Sequence, residues 1–181
     1  MAAKMFAMTV AFVLFVGSAA VAADADDTAR SIKEARDTIA AFKNADPNLS
    51  RFFNASVGYA VFPTIAKGAI GIGGAGGSGV LFENGKPTGR ASLSQVTIGA
   101  QLGGQTYSEI IFFQAAPALD DFKNGTLALA AQVSAVAAKA GASDNADYQN
   151  GVAVFTAGKG GLMFEASVGG QKFSFEQFAQ Q

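Results

Sequence analysis

The 181 residues contain no histidine and no cysteine. Zinc sites built on imidazole or thiolate are therefore excluded. So are Ser-His-Asp and Cys-His catalysis. Disulfides are excluded as well, and packing must hold the fold. Tryptophan is absent and proline occurs four times. Charge is scarce: Asp, Glu, Lys and Arg make up 15% of the chain and sum to −1, which offers nothing to nucleic acid. Carboxylate-only chemistry and hard-cation sites remain open, but no cofactor fingerprint or metal-ligand spacing calls for either. What is plentiful is apolar: 50% of the chain is hydrophobic, with 22 glycines and 16 phenylalanines. That composition argues against disorder, and the length suffices for one domain with a core rich in phenylalanine.

The first residues read as a targeting segment. Lys4 supplies a positive charge, Met5 to Val16 form an apolar run, and a small-residue zone ends at Ala20-Val21-Ala22-Ala23. We expect a cleavable signal peptide over residues 1–23, cut after Ala22 or Ala23, and a single domain over 24–181. The mature protein would then be exported, periplasmic or secreted. Without a cysteine at the cut, lipoprotein-type acylation cannot occur.

The stretch Gly58 to Phe82 (GYAVFPTIAKGAIGIGGAGGSGVLF) organises the rest. A short strand, Tyr59 to Phe62, is expected to stop at Pro63. The pair Lys67-Gly68 follows, then a glycine run with Ile70, Ile72, Val80 and Phe82 at alternate positions, the pattern of a half-buried strand. Gly151 to Phe175 repeats the order of features, including Lys159-Gly160, and reads as a second, related hairpin in the same sheet.

Around these segments, Asp26 or Asp27 caps a helix running to about Lys43, with Ile32, Ala35, Ile39 and Phe42 on one face. Asp46-Pro47 starts a short helix carrying Leu49, Phe52 and Phe53. Arg51 within it reads as a solvated charge. Asn84-Gly85 signals a hairpin turn, Pro87 to Arg90 a loop, Leu93 to Gln101 a strand, Gly103-Gly104 a turn, and Gln105 to Phe113 a strand. Pro117 opens a short helix with Leu119 and Phe122 inward, stopped at Asn124-Gly125. Leu127 to Ala138 alternates and reads as strand. Residues 140–150 read as a loop suited to mobility. The expected fold is α+β: a single curled antiparallel β-sheet, barrel-like, of about six or seven strands, with two or three helices packed across it.

Two motifs invite chemistry. Gly71 to Gly76 matches G-x-G-x-x-G, yet strand residues follow it where a dinucleotide site needs a helix N-terminus. Glu109 lies in an apolar run and would be desolvated; a carboxylate hydrolase would need Asp120 or Asp121 to converge on it. The basic residues are the other candidates. Lys67 and Lys159 hold equivalent places in the two hairpins, Lys86 and Arg90 border the turn between strands, and Lys172 follows Gly169-Gly170. Gathered at one rim, they would present cations beside glycine loops to phosphate or lipid head groups.

Gly58 to Pro63 (GYAVFP), Lys67-Gly68, Gly71 to Gly74, Ser94 to Val96, Ile98 to Gln101, Tyr107 to Phe112 and Gly158 to Gly160 resemble the SYLF-domain family, and the likeness runs from about Ala29 onward. The resemblance implies a non-enzymatic lipid-binding module without cofactor or metal. Eukaryotic members bind phosphoinositides and some bind actin; bacterial members are exported. Here a leader stands where eukaryotic members carry a membrane-entering helix, and actin is an implausible partner for an exported protein. The sequence therefore predicts a module that engages acidic phospholipids through Lys67, Lys159, Lys86, Arg90 and Lys172. The alternative is a structural or protein-interaction component of the cell envelope.

Overall fold

A computed structural model describes residues 2–70, 72–98, 103–129, 136–159 and 170–179. Helix α1 spans Ala2–Ala45. A 3₁₀ turn, Pro47–Leu49, and helix α2, Ser50–Ala55, follow. Four strands come next: β1 (Gly58–Ile70), β2 (Ile72–Glu83), β3 (Lys86–Ile98) and β4 (Gly103–Phe113). Helix α3 (Ala116–Lys123) precedes β5 (Val136–Ala137), β6 (Val152–Lys159) and β7 (Gln171–Gln177). All seven strands form one sheet in the order β5-β6-β4-β1-β2-β3-β7.

The α+β class and the single sheet agree with expectation, but the sheet is mixed and open. β5 runs parallel to β6, Val136 opposite Phe155, and the remaining pairings are antiparallel. The barrel-like closure expected from the glycines does not form. Among the described residues β6 and β7 do not pair as a second hairpin: β6 pairs with β4 while β7 pairs with β3, five strands away in the sheet order, and residues 160–169 between them lie outside the described residues. The partners of β6 and β7 are set by long-range register and not by the local likeness of the two stretches.

Pro63 does not end its strand. β1 runs through it, and a register shift falls at residues 61–65 against both neighbours. A proline in a central strand has no N–H for the ladder, so it sits at a bulge. Its carbonyl is satisfied by Ser108 Oγ at 2.7 Å. The bulge also inverts the alternation, so even-numbered residues face inward before it and odd-numbered ones after it.

The turn at Asn84-Gly85 is present, with φ of 51° and 75°, the left-handed pair that a two-residue hairpin requires. Pro87 to Arg90 lie in β3, not in a loop, and Gly103-Gly104 lie in β4, opposite Ala69 and Gly68. Residues 99–102, which join the two strands, lie outside the described residues. Of the expected strand at Leu127 to Ala138, residues 127–129 are irregular, 130–135 fall outside the described residues, and only Val136–Ala137 is strand. Helix α1 extends well past the expected start at Asp26 or Asp27.

Both faces of the sheet are buried at its α3 end. The inner face packs Ala60, Phe62, Leu81, Leu93, Ile111, Phe113 and Phe173 with Leu119 and Phe122 of α3. The outer face packs Tyr59, Val61, Val80, Phe82, Ile110 and Phe112 against Ala35 and Phe42 of α1 and Phe52 of α2. This is the apolar helix face read from the sequence, and burial of each large side chain contributes about 1.5–3 kcal/mol.

Candidate functional site

Strand register places the candidate lysines. Lys159 is opposite Thr106 and Ser94 is opposite Lys172; Thr106, Ala66, Gly76 and Ser94 complete one continuous rung across β4, β1, β2 and β3. Residues on one rung share a face, so Lys159 and Lys172 project from the same, outer face. Lys67 stands on the next rung and faces inward, opposite Gln105 and Ala75. Its strand and that of Lys159 are separated by β4 alone, roughly 10 Å at the usual strand spacing. Lys67 is half-buried; Lys159 and Lys172 are exposed.

Lys86 and Arg90 are elsewhere. Lys86 pairs with Glu83 beside the β2–β3 turn, near α3, at the other end of the sheet. Arg90 faces α1, donating to Thr28 Oγ1 at 3.3 Å and lying 3.7 Å from Asp24. The register brings three of the five basic candidates to the glycine-rich end and leaves two apart.

At that end the helices no longer cover the outer face. Thr64, Ala66, Gly68, Gly74, Gly76, Ser78, Ser92, Ser94, Val96 and Thr106 are all exposed, Val96 at 74%. The result is a bare backbone surface of small residues on the outside of the curled sheet, with a lysine at each end of the rung. Of the G-x-G-x-x-G glycines, Gly73, Gly74 and Gly76 lie in β2, which is followed by β3 and not by a helix, and Gly71 lies outside the described residues.

The inner face at the same level is polar. Glu109, fully buried, accepts a hydrogen bond from Gln171 Nε2. Its Oε1 has no hydrogen-bond partner among the described residues. Burial drives its pKa up to about 8, only partly opposed by the Gln171 amide. The phenol of Tyr107 is pushed up too, by burial first and by Glu109 second. Asp120 and Asp121 are exposed on α3, so the carboxylates of the hydrolase reading do not converge.

Sequence reading missed one further arrangement. Asp46 is fully buried, and its carboxylate accepts from the backbone N–H of Asn48 at 3.2 Å and of Ser143 at 2.8 Å. Burial works to raise its pKa, but the hydrogen bonds outweigh burial and hold the carboxyl below its usual range. Arg51 donates to the carbonyls of Ser143 and Ala146 and lies over the Phe52 ring. Asn48 Nδ2 reaches Asp144 at 2.7 Å. Arg51 is thus no idle solvated charge, and the segment expected to be a mobile loop is fastened by three side chains. Contacts separated by more than 90 residues leave no periodic trace in a sequence.

Two comparisons with known proteins bear on the chain. A family described as "Ysc84: Las17-binding protein actin regulator" matches residues 94–180. Beta cell expansion factor A of Aeromonas veronii is 28% identical over 124 residues, 67% of this chain. The chain spans 46% of that relative's length. The family match begins at Ser94 and so takes in β4, β6, β7 and Lys159 and Lys172, while the Lys67 stretch precedes it.

Proposed function

We propose, from the likeness of residues 94–180 to the Ysc84 (SYLF) family, that the chain is an exported, non-enzymatic lipid-binding module. It engages acidic phospholipid surfaces with the glycine-rich end of its sheet. The observation that supports this reading is the rung ending in Lys159 and Lys172, laid across a bare face of glycine, serine and alanine. Small residues let a membrane surface approach the backbone closely, and Val96 offers an exposed apolar contact within the patch. Lys67 faces the other side of the sheet and stands outside this surface. Each basic residue near an anionic surface contributes about 1 kcal/mol, so the two rung lysines give weak, reversible attachment that salt weakens.

Lys86 contributes from a distance at most, and Arg90 serves to hold α1. Export rests on the leader pattern at residues 1–23 and on the small residues before Asp24. The actin regulation in the family's description belongs to that family's named members; an exported chain would not meet actin.

Co-sedimentation with phosphatidylglycerol vesicles and with phosphatidylcholine vesicles tests the proposal. Binding to the first that fades with added salt is expected. Equal binding to both, or none, would remove the lipid reading and leave the envelope-protein alternative.

A further inference from the structure

Beside the lysine rung, α1 stands away from the sheet and leaves a groove of about 560 Å³, within the ~300–1,000 Å³ typical of small-molecule sites. Its cause is local. Glu34, Asp37, Thr38, Ala41 and Ala45 recur at helical spacing along one stripe of α1. The sheet residues beneath them are Thr64, Ser108, Ala157, Gly158 and Lys159. The small side chains on both walls leave the space between helix and sheet unfilled.

The walls carry opposite charges. On the sheet side, Lys159 Nζ donates to Thr64 Oγ1 at 2.7 Å, which fixes the ammonium at the groove. On the helix side, Asp37 is shared with Lys33 at 2.6 Å, whereas the Glu34 carboxylate has no ion-pair partner among the described residues. The hydroxyls inside are already committed, Thr38 to the Glu34 carbonyl and Ser108 to the Pro63 carbonyl. The groups left for a ligand are one cation and one anion on facing walls, with Phe42, Pro63 and alanines between them.

We infer that this groove binds a zwitterion in which a phosphate is linked to a primary ammonium, the phosphate on Lys159 and the ammonium on Glu34. An anion alone would meet the carboxylates, and a cation alone would meet Lys159; a ligand bearing both signs satisfies both walls. This deepens the lipid reading and rests on it: the molecule would attach to acidic membranes through the rung and select amino-phosphate head groups through the groove.

The test uses vesicles of constant phosphatidylglycerol content, with the remainder either phosphatidylcholine or phosphatidylethanolamine. The expected result is binding tightened roughly fivefold by ethanolamine, the scale of one exposed ion pair. Choline, which has no N–H to donate, should not replace it. Glu34→Gln should abolish the gain, with circular dichroism confirming the fold. A gain that survives in Glu34→Gln, or no gain on vesicles that do bind, overturns the inference while leaving the lipid reading intact. If no vesicle binds, the lipid reading falls, and titration of free O-phosphoethanolamine decides the groove alone. Saturable binding lost in Glu34→Gln assigns it to a soluble zwitterion, and its absence overturns the inference.

Discussion

Gln171 Nε2 of the last strand donates to Glu109 Oε2 of β4 at 3.1 Å, across the inside of the sheet. The two strands are four places apart in the sheet order, so this bond spans the curl that the open sheet makes. It puts a carboxyl in a fully buried position, and the consequence is a dependence of stability on pH.

Burial raises the folded-state pKa of Glu109 to about 8. The folded protein therefore holds a proton that the unfolded chain releases near the ordinary glutamate value of about 4.3. The stabilising contribution is complete below that value, declines as pH rises, and is lost above about 8. Urea unfolding at pH 5, 7 and 8.5 should show falling stability, by an amount on the order of a few kcal/mol. Glu109→Gln should flatten the dependence. An unchanged slope in the variant would mean that Glu109 is not the group responsible.

Asp46 has the opposite sign. Its hydrogen bonds hold the folded pKa below the unfolded value, so its contribution is present above the unfolded pKa and disappears as pH falls through the folded one. Asp46→Ala leaves the N–H groups of Ser143 and Asn48 without their acceptor and should cost about 1–3 kcal/mol. Hydrogen exchange should report faster opening of residues 139–148 than of β1 or β4.

The glycines of β2 are not equivalent. A Cβ at Gly79 would press into the Val61 carbonyl oxygen and the Phe62 ring, and one at Gly77 would meet the Thr64 carbonyl oxygen at 2.6 Å. Gly74 and Gly76 have their nearest neighbours at 3.5 and 3.6 Å. Gly79→Ala should destabilise by about 1–3 kcal/mol, as overpacking of a core does. Gly74→Ala and Gly76→Ala should stay within about 1 kcal/mol. Thermal denaturation of the three variants checks the contrast.

For vesicle binding, Lys159→Gln and Lys172→Gln should each weaken attachment to acidic vesicles by about 1 kcal/mol, close to fivefold. Lys86→Gln, at the far end of the sheet, should weaken it less. Equal losses for all three in co-sedimentation would point to net charge, not to the rung, as the binding determinant.

Features that depend on near neighbours were legible in the chain alone. The missing histidines and cysteines narrowed the chemistry. The 3.6-residue spacing of Ala35, Ile39 and Phe42 set the buried face of α1, Asp46-Pro47 started the short helix, Asn84-Gly85 made the hairpin turn, and Asn124-Gly125 ended α3. The tertiary structure decided what depends on distant register. It carried β1 through Pro63, split β6 from β7, and put Lys159 and Lys172 on one rung while sending Lys86 and Arg90 away. It also buried Glu109 and closed Asp46 on Ser143. Local spacing fixes which way a side chain points along its own element. Which strand lies beside it follows from how the whole core packs, and residues a hundred positions apart share that core without any periodic mark in the chain.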